Sequence, residues 1–344
     1  MKTWDVIIVG GGIIGLSLSI ELRKRGAQVL MVERGEPGQE ASHAAAGMLV
    51  DCGQETPATL QPLATASARM YPEFVHELQD ESGVKADLRD QGTLLFSDDV
   101  GSEGLTASLS ELEPALADQD RRGIYLKERS VDPRALVTAA LKAAKHHGVD
   151  VSSGSAVTKV VTLEGRASGV VTEKTSYSAP VIVNCGGAWA GQFPPLRFPT
   201  RPVKGQMLAV AAPRMLQHVI RAPEVYLVPR SDGRILIGST LEEAGYDKRT
   251  DASTIQRLHK AAIALIPALE GARILQDWAG LRPGTPDGLP ILGATSVGGY
   301  FVAAGHFRDG ILLAPATALV MAQLITGSRL EHDIAAFTPA RFGL

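Results

Sequence analysis

The chain has only two cysteines, Cys52 and Cys185, far apart and in no metal-ligand spacing. That excludes a disulfide framework and a cysteine-based zinc site, and it fits a reducing cytoplasm. Basic residues are not in excess: 34 Lys and Arg face 37 Asp and Glu, for a net charge of −3, and the longest basic run, Arg23–Lys24–Arg25, closes a helical pattern. No dedicated nucleic-acid surface is expected. Long apolar runs are missing as well. The most hydrophobic late stretch, Gly310 to Ile325, carries Pro315, Thr317 and Gln323 and is shorter than a membrane span. Trp4 enters a strand with no basic region and apolar run before it, so neither a leader nor an anchor is expected. There is no internal repeat, no low-complexity segment, and no Ser/His/Asp, Cys/His or paired-carboxylate pattern. General acid–base chemistry has no obvious owner.

What is there is an ordinary globular composition, 45% hydrophobic and 21% charged over 344 residues, enough for two lobes. The first unit reads as strand (WDVIIVG), glycine turn (GGGIIG), helix stopped by Gly26, and second strand closing at Glu33. A further helix pattern runs around Leu60 to Glu81, and a strand over Gly92 to Ser97. Asp132 and Pro133 open an amphipathic helix, the residue before the proline serving as cap. Strands are predicted at Gly154–Val161, Ala167–Val171, Arg201–Ala211, Val225–Pro229, Arg234–Ser239 and Tyr300–Ala304, with a capped helix from Asp251. A parallel βαβ start, a meander and a late return predict an α/β domain made of separate segments, 1–82, 131–199 and 276–344. A smaller α+β domain with a mainly antiparallel sheet, 83–130 and 200–275, interrupts it. The proline-rich Phe193–Pro199 is the expected crossing between them.

Gly10, Gly12 and Gly15 form G-x-G-x-x-G after a strand and before a helix, answered by Glu33 at the end of the next strand. The glycines allow a tight turn, close approach of a pyrophosphate to the helix N-terminus, and close helix–strand packing, while a carboxylate at Glu33 can bond ribose hydroxyls. Other motifs leave two readings open. The small residues of Ala41–Leu49 suit a tight packing contact or a wall against a flat ring, with the Ser42 hydroxyl reaching a phosphate, and Asn184–Gly191 is similar. Arg282 lies between an apolar strand end and a Pro/Gly loop, as a solvated turn residue or an anion ligand. Tyr226 sits in an alternating strand. In AAGHFRDGIL, Ala303 to Leu312, His306 is a core histidine or a site residue.

Taken together, VIIVGGGIIGLSLSIELRKRGAQVLMVERG, SHAAAGML, VYLVPR, WAGLRPGTPDGLPILG and AAGHFRDGILLAPAT closely resemble bacterial glycine oxidases of the D-amino acid oxidase family, across nearly the whole chain. The N-terminal block is shared by many flavoproteins; the two C-terminal blocks discriminate. The resemblance implies FAD, oxidation of glycine, sarcosine or small D-amino acids by hydride transfer, oxygen as acceptor with hydrogen peroxide as product, a role in thiamine biosynthesis, and a homo-oligomer. It implies that Arg282 and Tyr226 hold the substrate carboxylate, that Arg308 lines the same site, and that Leu241 stands where an apolar pocket residue is usual. The cofactor-binding set it implies is Gly10, Gly12, Ile13, Ile14, Gly15, Glu33, Arg34, Ser42, Ala46, Gly47, Met48, Val157, Gly186, Trp189, Arg308, Gly310, Ile311 and Leu312. No metal is implied. A histidine that attaches flavin covalently in related dehydrogenases directly precedes Ala-Ala-Gly; here that position is Ala44, with His43 one residue earlier, so noncovalent FAD is expected. The same motifs also permit a dehydrogenase that passes electrons to a quinone.

Overall fold

The computed structural model describes residues 3–51, 56–96, 109–117, 123–212 and 216–344. Cys52 and the last residue of the predicted strand at Gly92–Ser97 fall outside these. The described part of that strand is Thr93–Leu95.

Val6–Val9 is buried at every position because it lies inside a six-stranded sheet covered on both faces. Val181–Asn184 and Val29–Val32 flank it in parallel register. Tyr300–Ala304 and Asp150–Ser152 extend the parallel order outward, and Ile291–Ala294 closes one edge antiparallel. Successive side chains of a strand serve opposite faces. Val6 and Ile8 therefore join a core with the helices Ile13–Lys24, Gln61–Ser82, Pro133–His146 and Ala314–Ile325. Ile7 and Val9 join a second core under a three-stranded antiparallel layer, Val157–Leu163, Arg166–Thr172 and Ser176–Ser178. Asp132 caps the Pro133 helix, accepting from the Arg134 and Ala135 N–H groups. The predicted Leu60–Glu81 pattern is one long helix that carries Pro72 inside it.

The second sheet has seven strands, in the order Arg273–Gly284, Arg201–Ala211, Arg234–Gly238, Tyr226–Pro229, Val219–Arg221, Thr93–Leu95, Ile124–Leu126. All neighbours are antiparallel except Val219–Arg221 with Thr93–Leu95. Here too alternation divides the faces. Leu208, Val210, Leu227, Ile235 and Ile237 pack under the capped helix Ala252–Leu265. Met207, Ala209, Val228 and Leu236 turn the other way, toward Ala46 of the first unit.

One predicted boundary is displaced. Position 276 lies inside Arg273–Gly284, which pairs with Arg201–Ala211 along its length, so the chain returns to the first sheet only after Gly284. The apolar pattern hid this strand because its burial is mixed and its end is rich in glycine and proline.

Candidate active site

A single cavity of about 820 Å³ runs from the glycine turn of the first sheet to the inner face of the second. Its size is in the range of cofactor sites. At one end Gly10 turns at φ +110°, and a Cβ there would stand 2.4 Å from the Cys185 carbonyl oxygen. A Cβ on Gly15 would meet the Gly10 carbonyl oxygen at 2.1 Å, so helix and strand close to a distance only glycine permits. Gly12, by contrast, has open space before it apart from Ser42 Oγ, which accepts from the Ile13 N–H at 3.0 Å. The N-terminus of Ile13–Lys24 thus faces the cavity with room for an anion.

Glu33 is buried, its carboxylate accepting from the Gly11 N–H at 2.7 Å and the Gly35 N–H at 2.9 Å. Each oxygen keeps a lone pair for a further donor. Arg34 lies 3.6 Å over the Trp189 ring, and Val157 and Gly186 complete that end. Ile13, Ile14, Ala46, Gly47, Met48, Gly310 and Ile311 line the same cavity. Leu312 departs from the expectation. It is buried beneath the cavity and its carbonyl accepts from Ser67 Oγ at 2.6 Å, while the Ile311 carbonyl accepts from the Tyr71 hydroxyl at 2.5 Å. Two side chains of Gln61–Ser82 therefore pin the 311–312 turn ahead of Ala314–Ile325, a role with no signal in the sequence beyond polar residues at helical spacing.

The other end belongs to the second sheet. Arg282 is not in a loop but within the strand Arg273–Gly284, opposite Val203. Its Nη1 donates to the Thr240 carbonyl at 3.1 Å and its Nη2 to Ser239 Oγ at 2.7 Å. Burial draws the guanidinium below the usual arginine value; Tyr226 beside it favours the charged form and Arg308 opposes it. Among the described residues no ion pair involves Arg282 or Arg308, so a half-buried cation lines the cavity without a carboxylate partner. Tyr226 reaches Met207 Sδ at 3.5 Å, and Leu241 lines the mouth half exposed.

Two glycines make this arrangement possible. A Cβ on Gly205 would lie 2.3 Å from Arg282 Nη1, and one on Gly238 would lie 2.6 Å from the Tyr226 hydroxyl. Both sit inside strands, where glycine marks close approach, and that was the signal available in the sequence. His306 lines the cavity with its ring buried and Nε2 against Thr317 Oγ1 at 3.2 Å. His43 lines a shallow neighbouring cleft, whereas Cys185 lines the cavity with burial pushing its thiol up to about 12.

The DAO family model, FAD dependent oxidoreductase, matches residues 5–324. The chain belongs to that family. A bifunctional protein ThiO/ThiG from Synechocystis sp. is 37% identical over 99% of the chain, and the chain spans about half (54%) of that longer protein. A glycine oxidase from Pseudomonas putida is 33% identical, covering 97% of this chain and 98% of that one. The crystal structure of glycine oxidase from Geobacillus kaustophilus superposes with a TM-score of 0.92 at 32% identity, over 98% of both chains. FAD, the cofactor of the family, fits the residues present: the open helix N-terminus at Gly12, the acceptor at Glu33, and the small-residue wall Ala44–Gly47 lie along one cavity. No helix among the described residues is long and apolar enough to cross a membrane.

Proposed function

We propose that the protein oxidises small amino acids at the α-carbon, glycine, sarcosine and small D-amino acids, with FAD held noncovalently and oxygen as the final acceptor. The observation that carries this reading is Arg282: a half-buried cation with no carboxylate partner among the described residues, beside a phenol, in the cavity that also holds the glycine turn. Such a group is set up for a substrate carboxylate, whose charge would offset the cost of burying it. A guanidinium has five N–H groups, and Thr240 and Ser239 take one from each terminal nitrogen, which leaves a proton on each for the two carboxylate oxygens. The Tyr226 hydroxyl supplies a further donor, and Arg308 adds positive charge at the same end.

We assign the dinucleotide to the glycine-turn end, its pyrophosphate at Gly12, Ile13 and Ser42, its ribose at Glu33, and its ring system against Ala46–Met48 and Gly310–Ile311. Bound FAD supplies the two-electron acceptor, and its reoxidation converts oxygen to hydrogen peroxide. The chain's part is orientation: holding the carboxylate fixes the α-carbon over a wall of small residues. His306, buried and paired with Thr317, is kept neutral and takes no proton. The balance is amino acid, water and oxygen to oxo acid, ammonia (or amine) and peroxide. Similarity to the ThiO portion of the bifunctional relatives supports a place in thiamine biosynthesis.

The test is to supply a panel of amino acids to the FAD-loaded protein and follow oxygen uptake and peroxide together. Peroxide in step with substrate oxidation is expected. Rapid dye reduction with negligible oxygen uptake would establish the dehydrogenase reading instead.

A further inference from the structure

Ala44–Met48 lines the cavity, and the carbonyl oxygens of Ala44, Ala46 and Gly47, with that of His43 before them, accept from donors elsewhere in the chain. Arg134 Nε donates to His43 O at 3.3 Å, Trp278 Nε1 to Ala44 O at 3.1 Å, and the Val131 N–H to Gly47 O at 2.8 Å. The remaining donor, Arg230 Nη2 to Ala46 O, differs from these in kind. Arg230 follows the strand Tyr226–Pro229 and is fixed by its hairpin, its N–H donating to Arg234 O at 2.8 Å. Its side chain is 4% exposed, and its Nε and Nη1 have no hydrogen-bond partner among the described residues.

Nor is the charge neutralised by contact. Among the described residues no carboxylate lies within ion-pair distance of Arg230. Asp132 is engaged by Arg234 at 2.9 Å and by the helix it caps, and Asp87 by Ser231. Burial lowers the guanidinium to about 10, while at longer range Asp132 and Asp87 favour its charged form and Arg234 and Arg89 oppose it, so it remains a cation at neutral pH.

We propose that Arg230 is a positioning residue for the bound flavin, fixing the Ala46 peptide against the ring and placing a positive charge with no contact ion pair among the described residues behind that wall. In a dry site such a charge favours the more negative, reduced state of the ring. This rests on the assignment of the ring system to Ala46–Met48.

The experiment uses FAD-loaded protein and reads the flavin midpoint potential and the dissociation constant of sulfite, an anion that binds the oxidised ring. Arg230→Met is expected to bind sulfite about tenfold more weakly, with a lower potential and a kcat loss exceeding any change in KM. Arg230→Lys, which keeps the charge, should stay within about threefold of the parent. A potential and sulfite affinity unchanged in Arg230→Met, or Arg230→Lys behaving as Arg230→Met, would overturn the proposal. If Arg230→Met does not fold, Arg230→Gln decides in the same way; failure of both to fold makes the residue structural and also overturns it. Ala46→Leu separates the underlying assignment: a shifted flavin spectrum there, with unaffected Arg230 variants, removes only the Arg230 inference, whereas an unshifted spectrum removes the ring placement.

Discussion

His306 is drawn down to about 3 by complete burial of its ring, from the ordinary 6.5. Its folded-state value is depressed, so between those limits the unfolded chain binds more protons than the folded one, and stability rises with pH through that window. The contribution is whole above about pH 6.5 and is lost as pH falls toward 3. Replacing His306 with Asn should therefore reduce proton uptake on unfolding by about one proton in that window, measured from denaturant unfolding at a series of pH values. An unchanged slope would mean that the ring charges in the folded state. In the proposed function Arg282 bears on substrate instead. Truncating one partner of a buried charge pair typically costs roughly 2–5 kcal/mol, so Arg282→Ala should lose about thirtyfold or more in kcat/KM for amino acids. Arg282→Lys recovers only part, because an ammonium lacks the planar fork. Tyr226→Phe should cost about 1 kcal/mol. FAD content should stay at the parent level in all of them; a loss below about threefold in Arg282→Ala would refute the carboxylate assignment.

The elements differ in how openly the sequence declares them. WDVIIVG is a continuous β-branched run because both faces of Val6–Val9 are covered, and the glycine turn follows at fixed spacing, so this unit was legible with its neighbours. Arg201–Ala211 and Tyr300–Ala304 were legible to the residue. Arg273–Gly284 was not, since its residues alternate weakly and its pairing across Gly205 and Gly280 is a long-range fact. That pairing is what turns Arg282 from a loop residue into a site residue, and it places Gly205 under the guanidinium. The pinning of Ile311 and Leu312 by Tyr71 and Ser67 spans about 240 residues of chain and leaves no local trace. The turn itself gives a sharp contrast. The Cβ that Gly12→Val adds before the helix N-terminus meets only Ser42 Oγ, at 3.3 Å, and no backbone, so FAD occupancy should fall by more than apo stability. Gly10→Ala drives a Cβ into the Cys185 carbonyl at a left-handed φ, so the fold itself should weaken. FAD per chain and the Tm of the apo proteins distinguish the two, and equal effects would contradict the assigned roles.

Across the chain, two sheets with separate cores close on one cavity, the first giving the glycine turn and the second the charged end. The order of motifs along the chain made this legible in outline: a parallel start, a meander, and a return through AAGHFRDGIL. In that stretch Gly305 turns at φ +77°, His306 lines the cavity with its ring buried against Thr317, and Arg308, Gly310 and Ile311 line the same cavity. The extent of the meander was less legible, because Gly280 and Gly284 read as loop until their partners are known. The central claim is that the cavity joins a flavin to an amino-acid carboxylate held by Arg282. Mixing FAD-loaded protein with glycine, sarcosine and D-alanine in the absence of oxygen, and following the flavin absorbance, tests it most directly. Bleaching by at least one of these is expected, with recovery and peroxide when oxygen is admitted, and much slower bleaching in Arg282→Ala and with an amine lacking the carboxylate. A flavin that no amino acid bleaches, or that Arg282→Ala bleaches at the parent rate, would contradict it.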